Sequence, residues 1–394
     1  MISDRKKIPH IYLIAGEESG DRLGGSLMRS LKIITSDNIQ FSGVGGKNMT
    51  AEGIDSLFPI DDLAVMGVTE VFPRIPLLIK RLRYVVKNIK KVMPDVVVTI
   101  DAPDFNFRVA RSLTNTNIPR VHYVAPSVWA WRPGRAKKIS RIFDHLLTLL
   151  PFEPSYFECH GLACTYVGHP VLTSGAAKAD KYSFKAKRKI KNETVLLAII
   201  PGSRKSEVSR HLPVFGEAAK LLFNHFPNIE VIVPTLEATR EMVEREVATW
   251  TMPVHLTEND HDKYAAFAAA EAAIAASGTV TLELAVAGTP AVTGYKMAPA
   301  TSFIAKRLVQ VIYSNLVNLI LNRDVVPEFL LDKCRPNLLA DAVRKILNNH
   351  DLQNTQKTAF KEAIFLLTKD STDPNQRASE AVLSVLNAKS QNIS

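Results

Sequence analysis

Cysteine is scarce in this sequence, which contains only Cys159, Cys164 and Cys334. Their spacing matches no metal-ligand motif, and three cysteines cannot all pair with one another. A disulfide framework and a cysteine-based zinc site are therefore not expected. The pattern is typical of a protein that works in a reducing cytoplasm.

Long hydrophobic runs are also missing. No stretch reaches the roughly 18 apolar residues that a transmembrane helix needs, although 46% of the residues are hydrophobic and a sizeable core is expected. The N-terminal MISDRKKIPH leads directly into IYLIAG, which is too short for a secretory signal and is followed by the acidic EESGD. The sequence thus predicts a cytoplasmic protein without a membrane span.

Acidic residues are fewer than basic ones, with 39 Asp and Glu against 49 Lys and Arg, a net charge of +10 and a pI of about 9.4. Basic residues cluster at 80–91, 132–141 and 178–191. Each cluster alone could be a solvated surface, but together they favour an anionic partner. Because no nucleic-acid module is visible and no aromatics alternate with these clusters, we expect no nucleic acid among the partners.

The first half of the chain begins with an apolar strand, IYLIAG, a polar turn containing Ser19 and Gly20, and a helix with one apolar face. The turn lacks the GxGxxG pattern of a dinucleotide site. It could receive a phosphate or a sugar, or it could be an ordinary strand-to-helix turn.

Two aspartates follow another buried strand, VVVTI, at residues 96–100. Asp101 and Asp104 come at its carboxyl end, where open α/β sheets bind their ligands. A carboxylate in that place can remove a proton from an attacking hydroxyl. The alternative is a structural turn around Pro103, but the position favours a catalytic role, with Asp101 the better candidate.

Residues 61–79 combine dense apolar side chains with two prolines and precede the basic segment KRLRYVVKNIKK. Pro73 and Pro76 argue against a regular buried helix through that point. Core packing and contact with a membrane interface are both compatible with this composition. The candidate membrane-contact residues are Val65, Met66, Val68, Val71, Phe72, Ile75, Leu78 and Ile79.

The second half repeats the alternation of strand and helix. Strand VLLAII is followed by the turn PGSR, in which Arg204 can fork onto a phosphate or a carboxylate. Later, IAASGTVTLELAVAGTP places Ser277, Gly278 and Thr279 between a strand and a helix, with Glu283 one turn inside. Free amides at such a helix start suit a phosphate, and Glu283 suits sugar hydroxyls. An ordinary capped turn is the alternative.

These patterns predict an α/β fold with two doubly wound, Rossmann-like domains that face a cleft. The first domain comprises residues 1–172, a basic linker follows at 173–192, and the second domain comprises 193–370. A carboxylate of catalytic type lies in the first half and the anion-binding turns in the second. That division suits an activated sugar nucleotide and a separate acceptor.

Collinear motifs then indicate a family. They are AGEESGD, DLAVMG, IDAPDFN, YVAPSVWAWRPGR, LPFEP, VGHP, PGSRKSEV, SGTVTLELAVAGTP, GYKMAP, NLVNLILNR and VPEFLL. In this order and over nearly the whole chain, the sequence resembles lipid-A-disaccharide synthase. The resemblance implies a GT-B glycosyltransferase that uses no metal or other cofactor. It would join UDP-2,3-diacylglucosamine to 2,3-diacylglucosamine 1-phosphate (lipid X), with inversion, giving a β(1→6) disaccharide and UDP.

The resemblance also implies roles for matching residues. Asp101 would be the general base, and Ser19, Gly20 and Asp104 would lie on the acceptor side. The UDP site would be formed by Arg204, Ser277, Gly278, Thr279, Glu283 and Asn318. Val317 stands where the family usually has proline, which leaves the orientation of Asn318 open.

Further expectations from the resemblance concern partners. The patch at 65–79 would contact the cytoplasmic face of the inner membrane, so that the protein is peripherally associated with it. The C-terminal helix, residues 371–394, would pack back on the first domain, and a homodimer would form by exchange of C-terminal segments.

Two other functions fit the fold. A UDP-sugar epimerase would use similar phosphate-binding turns but would release no disaccharide. A nucleotide-sugar sensor or membrane scaffold would bind without turnover, and the position of Asp101 argues against it.

Overall fold

Each half of the chain forms its own parallel sheet. The computed structural model describes residues 8–63, 68–131, 134–257, 259–297, 312–368 and 373–391. The chain divides into two units, the first comprising Met1–Pro170 and Asp370–Ser394 and the second Val171–Lys369. Two six-stranded sheets with flanking helices confirm the prediction of two Rossmann-like domains.

The first unit begins with alternating strands and helices, with a short 3-10 turn at Ile60–Asp62. Its elements are β1 His10–Ala15, α1 Glu18–Thr35, β2 Gln40–Val44, α2 Lys47–Ala51, α3 Val68–Val92, β3 Val96–Ile100, α4 Pro103–Ser112, β4 Arg120–Tyr123, α5 Val128–Trp131, α6 Gly134–Ile139, β5 His145–Thr148, α7 Pro154–Glu158 and β6 Ala163–Tyr166.

The second unit repeats this alternation, with 3-10 turns at Pro170–Thr173, Gly175–Lys178, Glu237–Thr239 and Leu331–Lys333. Its elements are α8 Lys181–Lys187, β7 Val195–Ile200, α9 Lys205–Phe223, β8 Ile229–Pro234, α10 Arg240–Val247, β9 Val254–Thr257, α11 Asp260–Ala269, β10 Ala272–Ala275, α12 Val280–Ala287, β11 Ala291–Tyr295, α13 Leu316–Leu321, β12 Glu328–Leu330, α14 Pro336–Asn348 and α15 His350–Leu367. The last helix, α16 (Pro374–Gln391), belongs to the first unit.

The strands are apolar on both faces because helices cover both faces of each sheet. In β1, Ile11 and Leu13 belong to one core cluster together with Leu27 of α1. Tyr12 and Ile14 point the opposite way and join a second cluster with residues of α3 and α4. This alternation explains why β1 and β3 read as continuous hydrophobic segments and not as alternating ones.

Helix α16 completes the first of these clusters. Its Ala378 and Val382 are fully buried in the same cluster as Ile11 and Leu27. The Ser379 hydroxyl donates to the carbonyl of Leu27 at 3.4 Å. The end of the chain therefore packs on a helix near its beginning.

Each sheet contains a topological switch point, where the strand order reverses. In the order β2-β1-β3-β4-β5-β6, the chain passes from β1 to β2 on one side and then to β3 on the other. In the order β12-β11-β10-β7-β8-β9, β7 to β9 extend one way and β10 begins the other. Ligands of such folds bind at the carboxyl ends of the strands that flank the switch point. Ligand sites are thus expected in the loops after β1 and β3, and in those after β7 and β10.

The segment that we expected to be a linker, residues 173–192, is instead part of the second unit. It contains helix α8, in which Phe184 is buried at 2% exposure. Lys187 pairs with Asp262 of α11 at 3.1 Å, and Arg188 donates to the carbonyl of Leu256 at 2.9 Å. The lysine-rich composition had suggested a solvated linker, whereas the apolar residues at 184 and 190 anchor the segment.

Pro73 and Pro76 do not interrupt helix α3, which runs from Val68 to Val92. Both prolines are exposed, so the missing amide hydrogen bonds lie on the solvent side of the helix. The prediction that no regular buried helix passes through the prolines is therefore met by a helix whose prolines face solvent. Among the predicted membrane-contact residues, Val65 and Met66 lie outside the described residues.

Candidate active site

Asp101 lies at the switch point of the first sheet, directly after β3. Its side chain accepts a hydrogen bond from the Ser19 hydroxyl in the first turn of α1, with 3.0 Å between Ser19 Oγ and Asp101 Oδ2. Its amide donates to the carbonyl of Tyr123 at the end of β4, at 2.9 Å. The structure therefore brings together two residues that the sequence placed in separate loops.

The backbone around Asp101 is in an unfavourable conformation. Asp101 and Ala102 have φ angles of 52° and 43°, and Val124, after the adjacent strand β4, has a φ of 79°. Such left-handed conformations cost about 1–2 kcal/mol each for residues other than glycine. They persist at functional sites because the surrounding structure holds them in place.

Two groups hold this loop. The buried Asn106 side chain donates to the carbonyl of Asp101 at 2.8 Å and to that of Ile100 at 3.1 Å. Gly16 provides the space opposite, because a Cβ atom there would lie 2.3 Å from the Cβ of Ala102. The loop is thus built to present the Asp101 carboxylate next to α1.

The other predicted acceptor-side residues differ in their surroundings. Gly20 is buried, and a Cβ atom there would lie 3.2 Å from the carbonyl of Ile100, so Gly20 permits α1 to pack closely on β3. Asp104 is exposed in the first turn of α4. The turn predicted for EESGD is also shorter than expected, because α1 already begins at Glu18.

Asp21 has a structural role that the sequence analysis missed. Its buried carboxylate accepts hydrogen bonds from the amides of Gly46, Asn48 and Met49 and from the Asn48 side chain, at 2.7–3.1 Å. These are the free amides at the start of α2. Asp21 therefore caps α2 and fixes the glycine-rich loop after β2.

The Trp129 side chain is hydrogen-bonded to a buried glutamate. Its indole nitrogen donates to Glu153 at 3.3 Å, and Glu153 also accepts the amides of Leu149 and Leu150 at 3.0 Å. Burial raises the pKa of Glu153 to about 7. His169, after β6, is also buried, and its burial lowers its pKa to about 4.

The second unit presents Arg204 at the switch point, between β7 and α9. Gly202 has a φ of 116°, and Arg204 occupies the N-cap position of α9. Its guanidinium pairs with Glu207 at 3.0 Å and its side chain is 47% exposed. Exposed pairs of this kind contribute about 0–1 kcal/mol. The arginine can therefore exchange this partner for a bound anion at little cost.

His211 fixes the turn that carries Arg204. Its Nδ1 lies 2.7 Å from the carbonyl of Pro201, and its Nε2 lies 2.9 Å from the amide nitrogen of Lys296. Because a carbonyl only accepts and an amide only donates, the imidazole is neutral with its proton on Nδ1. Burial lowers the pKa of His211, which agrees with the neutral form.

The turn after β10 lies beside the turn after β7, since β7 and β10 are adjacent and the amide of Ala276 donates to the carbonyl of Ile200 at 2.8 Å. Gly278 has a φ of 144°. Within the described ranges, no hydrogen bond involves the amides of Ser277, Gly278 or Thr279. Those amides are thus available to an anion at the positive end of the α12 dipole.

The Ser277 hydroxyl is not available in the same way. It donates to the carbonyl of Ser314 at 2.7 Å, which docks the turn against the segment before α13. Glu283, one turn inside α12, accepts from Lys263 at 3.1 Å and from the Tyr264 hydroxyl at 3.0 Å, both at Oε1. Its carboxylate is therefore held in place by α11.

Asn318 requires a correction to its expected role. It is fully buried, and its Oδ1 accepts the amides of Val325 and Val326 at 2.9 Å. Its Nδ2 donates to the carbonyl of Val326 and to Glu328, both at 2.8 Å. All four hydrogen-bonding positions of the amide are used. In this structure Asn318 shapes the loop before β12 and does not offer its side chain to a ligand.

Val317, where the family usually has proline, donates its amide to Asn315 Oδ1 at 2.8 Å. Proline has no such donor. The departure from the family pattern thus adds a capping hydrogen bond to α13, and the orientation of Asn318 is fixed by its own four hydrogen bonds.

The profile of a family described as lipid-A-disaccharide synthetase matches residues 11–382. The chain belongs to this family. A lipid-A-disaccharide synthase from Rhodospirillum centenum is 47% identical over 378 residues, covering 95% of this chain and 94% of that relative. Membership in the lipid-A-disaccharide synthase family confirms the predicted enzyme class, a glycosyltransferase of lipid A biosynthesis.

Solved structures similar to this member of the lipid-A-disaccharide synthase family share its fold. A UDP-GlcNAc 2-epimerase from Neisseria meningitidis, bound to UDP-GlcNAc, superposes with a TM-score of 0.61 at 10% identity, covering 96% of this chain and 100% of that chain. A glycosyltransferase from Rickettsia africae gives a TM-score of 0.58 at 13% identity, covering 98% and 100%. Since both identities are low, these likenesses support the fold and not the epimerase alternative.

Across the described part of this family member, none of the helices is long and apolar enough to cross a membrane. In those same ranges, no three His, Cys, Asp or Glu side chains are grouped so that they could hold a metal ion.

Proposed function

We propose that this enzyme joins UDP-2,3-diacylglucosamine to lipid X, giving a β(1→6) disaccharide 1-phosphate and UDP with inversion at the anomeric carbon. The observation that carries the proposal is the chemistry at the two switch points. One presents a carboxylate held by a serine hydroxyl, and the other presents free amides and an exchangeable arginine. The acceptor hydroxyl must lose a proton, for which it needs the carboxylate. The donor must release UDP, whose diphosphate needs the amides and the arginine.

On the acceptor side, Asp101 acts as general base. The 6-hydroxyl oxygen of lipid X attacks the anomeric carbon of the donor, and its proton passes to the Asp101 carboxylate. Ser19 holds Oδ2 at 3.0 Å, which leaves Oδ1 for the substrate hydroxyl. The fixed loop around Ala102 keeps the carboxylate in position without reorganisation during the reaction.

On the donor side, the bond between the anomeric carbon and the UDP oxygen breaks, and negative charge grows on the diphosphate. Arg204 and the amides of Ser277, Gly278 and Thr279 stabilise that charge, assisted by the dipole of α12. Glu283 accepts hydrogen bonds from sugar hydroxyls of the donor. Because these donors neutralise the leaving group, the reaction proceeds without a metal or another cofactor.

The test is UDP release from UDP-2,3-diacylglucosamine in detergent and EDTA, with and without lipid X. We expect release that requires lipid X, accompanied by a disaccharide 1-phosphate in the mass spectrum. Release without lipid X would indicate a hydrolase or an epimerase-like enzyme. Tight UDP binding without release would indicate a sensor.

Helix α3 supports a peripheral association with the cytoplasmic face of the inner membrane. Ile75 and Ile79 are 38% and 43% exposed, and Lys80, Arg83 and Lys87 on the same helix are exposed too. Leu78 faces inward and packs against the core cluster that contains Val85 and Ile89, so only part of the predicted patch is open to lipid. Exposed isoleucines beside lysines suit an anionic lipid surface.

Replacing Ile75 and Ile79 together by serine should weaken binding to phosphatidylglycerol vesicles about tenfold, because two buried apolar side chains are lost from the interface. Vesicle cosedimentation measures the change. Phe365→Ser, at a residue that is 68% exposed on α15, is the matched control and should bind as the unaltered protein does. Equal binding by all three proteins would contradict this orientation.

The homodimer formed by exchange of C-terminal segments stays a prediction from the family resemblance. An exchange of this kind would have to preserve the packing of α16 on α1. Sedimentation equilibrium of the full chain measures the oligomeric state, and a monomer at all concentrations would contradict the exchange.

A further inference from the structure

Glu328, the first residue of the edge strand β12, is the centre of a hydrogen-bond network, and its carboxylate has no role in the proposed mechanism. Its Oε2 accepts the amide and the hydroxyl of Ser314 at 2.8 and 2.7 Å. Its Oε1 accepts the amide of Asn315 at 3.1 Å and the side chain of Asn318 at 2.8 Å. One carboxylate thus receives four hydrogen bonds.

Every one of these partners approaches as a donor. Two are backbone amides, one is the NH₂ group of Asn318, and the Ser314 hydroxyl donates in the same direction. An ionised carboxylate offers acceptors only and satisfies all four. A glutamine of the same size would point an NH₂ group at one of the donor pairs, so the site requires the carboxylate.

The network extends to the donor site through Ser314. The carbonyl of Ser314 accepts the Ser277 hydroxyl at 2.7 Å. Asn315 also connects this segment to the sheet, since its side chain donates to Thr293 of β11 at 2.8 Å and caps α13. Glu328 therefore fixes the segment 314–318, and that segment is the support on which the turn after β10 rests.

We propose that Glu328 is a positioning residue for the donor, acting through Ser314 and Ser277 on the amides that bind the UDP diphosphate. The inference rests on the proposed assignment of the donor to the second unit. Glu328 makes no contact with the substrate itself. Its effect is on the geometry of the turn and hence on donor affinity, not on the proton transfer at Asp101.

Glu328→Gln tests this role in the full-length enzyme. We expect the KM for UDP-2,3-diacylglucosamine and the Kd for UDP to rise about tenfold, because a hydrogen-bond network to a charged group is broken. The kcat at saturating donor and the KM for lipid X should change less than about threefold. Steady-state kinetics and UDP calorimetry give these values.

Glu271→Gln is the matched control. Glu271 is also a partly buried carboxylate, and it accepts the amide of Leu196 at 2.6 Å and pairs with Lys185 at 3.2 Å. It lies at the amino ends of the central strands β7 and β10, away from the turn after β10. Its loss should lower the melting temperature without changing the Kd for UDP. If Glu271→Gln raises that Kd as much as Glu328→Gln does, Glu328 has only a general structural role.

A double-mutant cycle with Ser277→Ala tests the path. If Glu328 acts through Ser277, the two substitutions together should raise the UDP Kd no more than the larger single effect. If the double variant instead raises the UDP Kd by the product of the two single effects, Glu328 does not act through Ser277. Ser314→Ala removes the hydroxyl that donates to Glu328 and keeps the carboxylate charge. It should raise the Kd for UDP about threefold. This variant takes the place of Glu328→Gln if Glu328→Gln does not fold.

The single variants also separate this inference from the assignment on which it rests. If Ser277→Ala weakens UDP binding and Glu328→Gln does not, the positioning role is wrong and the donor site stands. If neither changes UDP binding, the donor site itself has been placed wrongly.

Discussion

Asp101→Asn is expected to lower turnover about 10³-fold, because general-base catalysis contributes roughly 10²–10⁴-fold and an amide cannot take up the proton. Asparagine has the same shape and still accepts a hydrogen bond from Ser19, so the loop should be preserved. The Kd for UDP should stay unchanged. UDP release under saturating substrates and UDP calorimetry measure the two quantities.

Asp144→Asn is the control for that substitution. Asp144 pairs with Arg120 at 2.9 Å, directly before β5 and at the amino edge of the same sheet. Asp144→Asn removes a carboxylate from the same unit but away from the switch point. Its turnover should stay within about twofold of that of the unaltered enzyme. Near-normal turnover of Asp101→Asn would remove Asp101 from the role of base. Equal losses in both variants would point to a general effect on folding.

Arg204→Ala is expected to lower kcat/KM for the nucleotide sugar about 10²-fold and to weaken UDP binding at least tenfold. The substitution removes a bidentate, charge-assisted contact from a group whose charge grows as the bond to UDP breaks. The KM for lipid X should change little. Kinetics with each substrate varied in turn give the three values.

Two variants control for charge alone. Arg204→Lys keeps the positive charge without the planar fork, and we expect an intermediate loss. Arg245→Ala removes an exposed cation of α10 that pairs with Glu241, and it should leave the kinetics unchanged. Unchanged kinetics of Arg204→Ala with the nucleotide sugar would show that Arg204 does not bind the donor.

The strands and the carboxyl-edge loops could be predicted because they depend on local patterns. The segments at 96–100 and 195–200 are almost entirely apolar, as buried parallel strands are. Asp101 comes directly after the first segment, and Arg204 lies in the turn after the second. The rule that ligands bind at these edges then selects the loops. The strand order shows that both loops flank a switch point. This order could not be derived from the sequence alone.

The hydrogen-bond partners could not be predicted, because they depend on residues brought together by the fold. Asp21 lies in the first turn of its own helix, yet it caps α2, and its partner Gly46 is 25 residues away in sequence. Asn318 was expected to face a ligand, yet the loop before β12 folds around it. Glu328 stands in the motif VPEFLL, but the motif does not show that the carboxylate is the centre of a hydrogen-bond network.

The conformations of two segments, residues 68–92 and 173–192, could not be predicted for a related reason. Prolines at 73 and 76 break a helix only if the lost hydrogen bonds cannot be replaced by water, and their exposure was not visible in the sequence. The lysine-rich segment at 173–192 became ordered because Phe184 finds a buried position and Lys185 and Lys187 find acidic partners. In both segments, tertiary contacts decided between two locally reasonable conformations.

The central claim is that the two units divide the chemistry, with the acceptor base in the first and the diphosphate site in the second. Calorimetric titration of UDP into Asp101→Asn and Arg204→Ala, side by side with the unaltered enzyme, tests it most directly. We expect an unchanged Kd for Asp101→Asn and a Kd raised at least tenfold for Arg204→Ala. A UDP affinity lost in Asp101→Asn and retained in Arg204→Ala would contradict it.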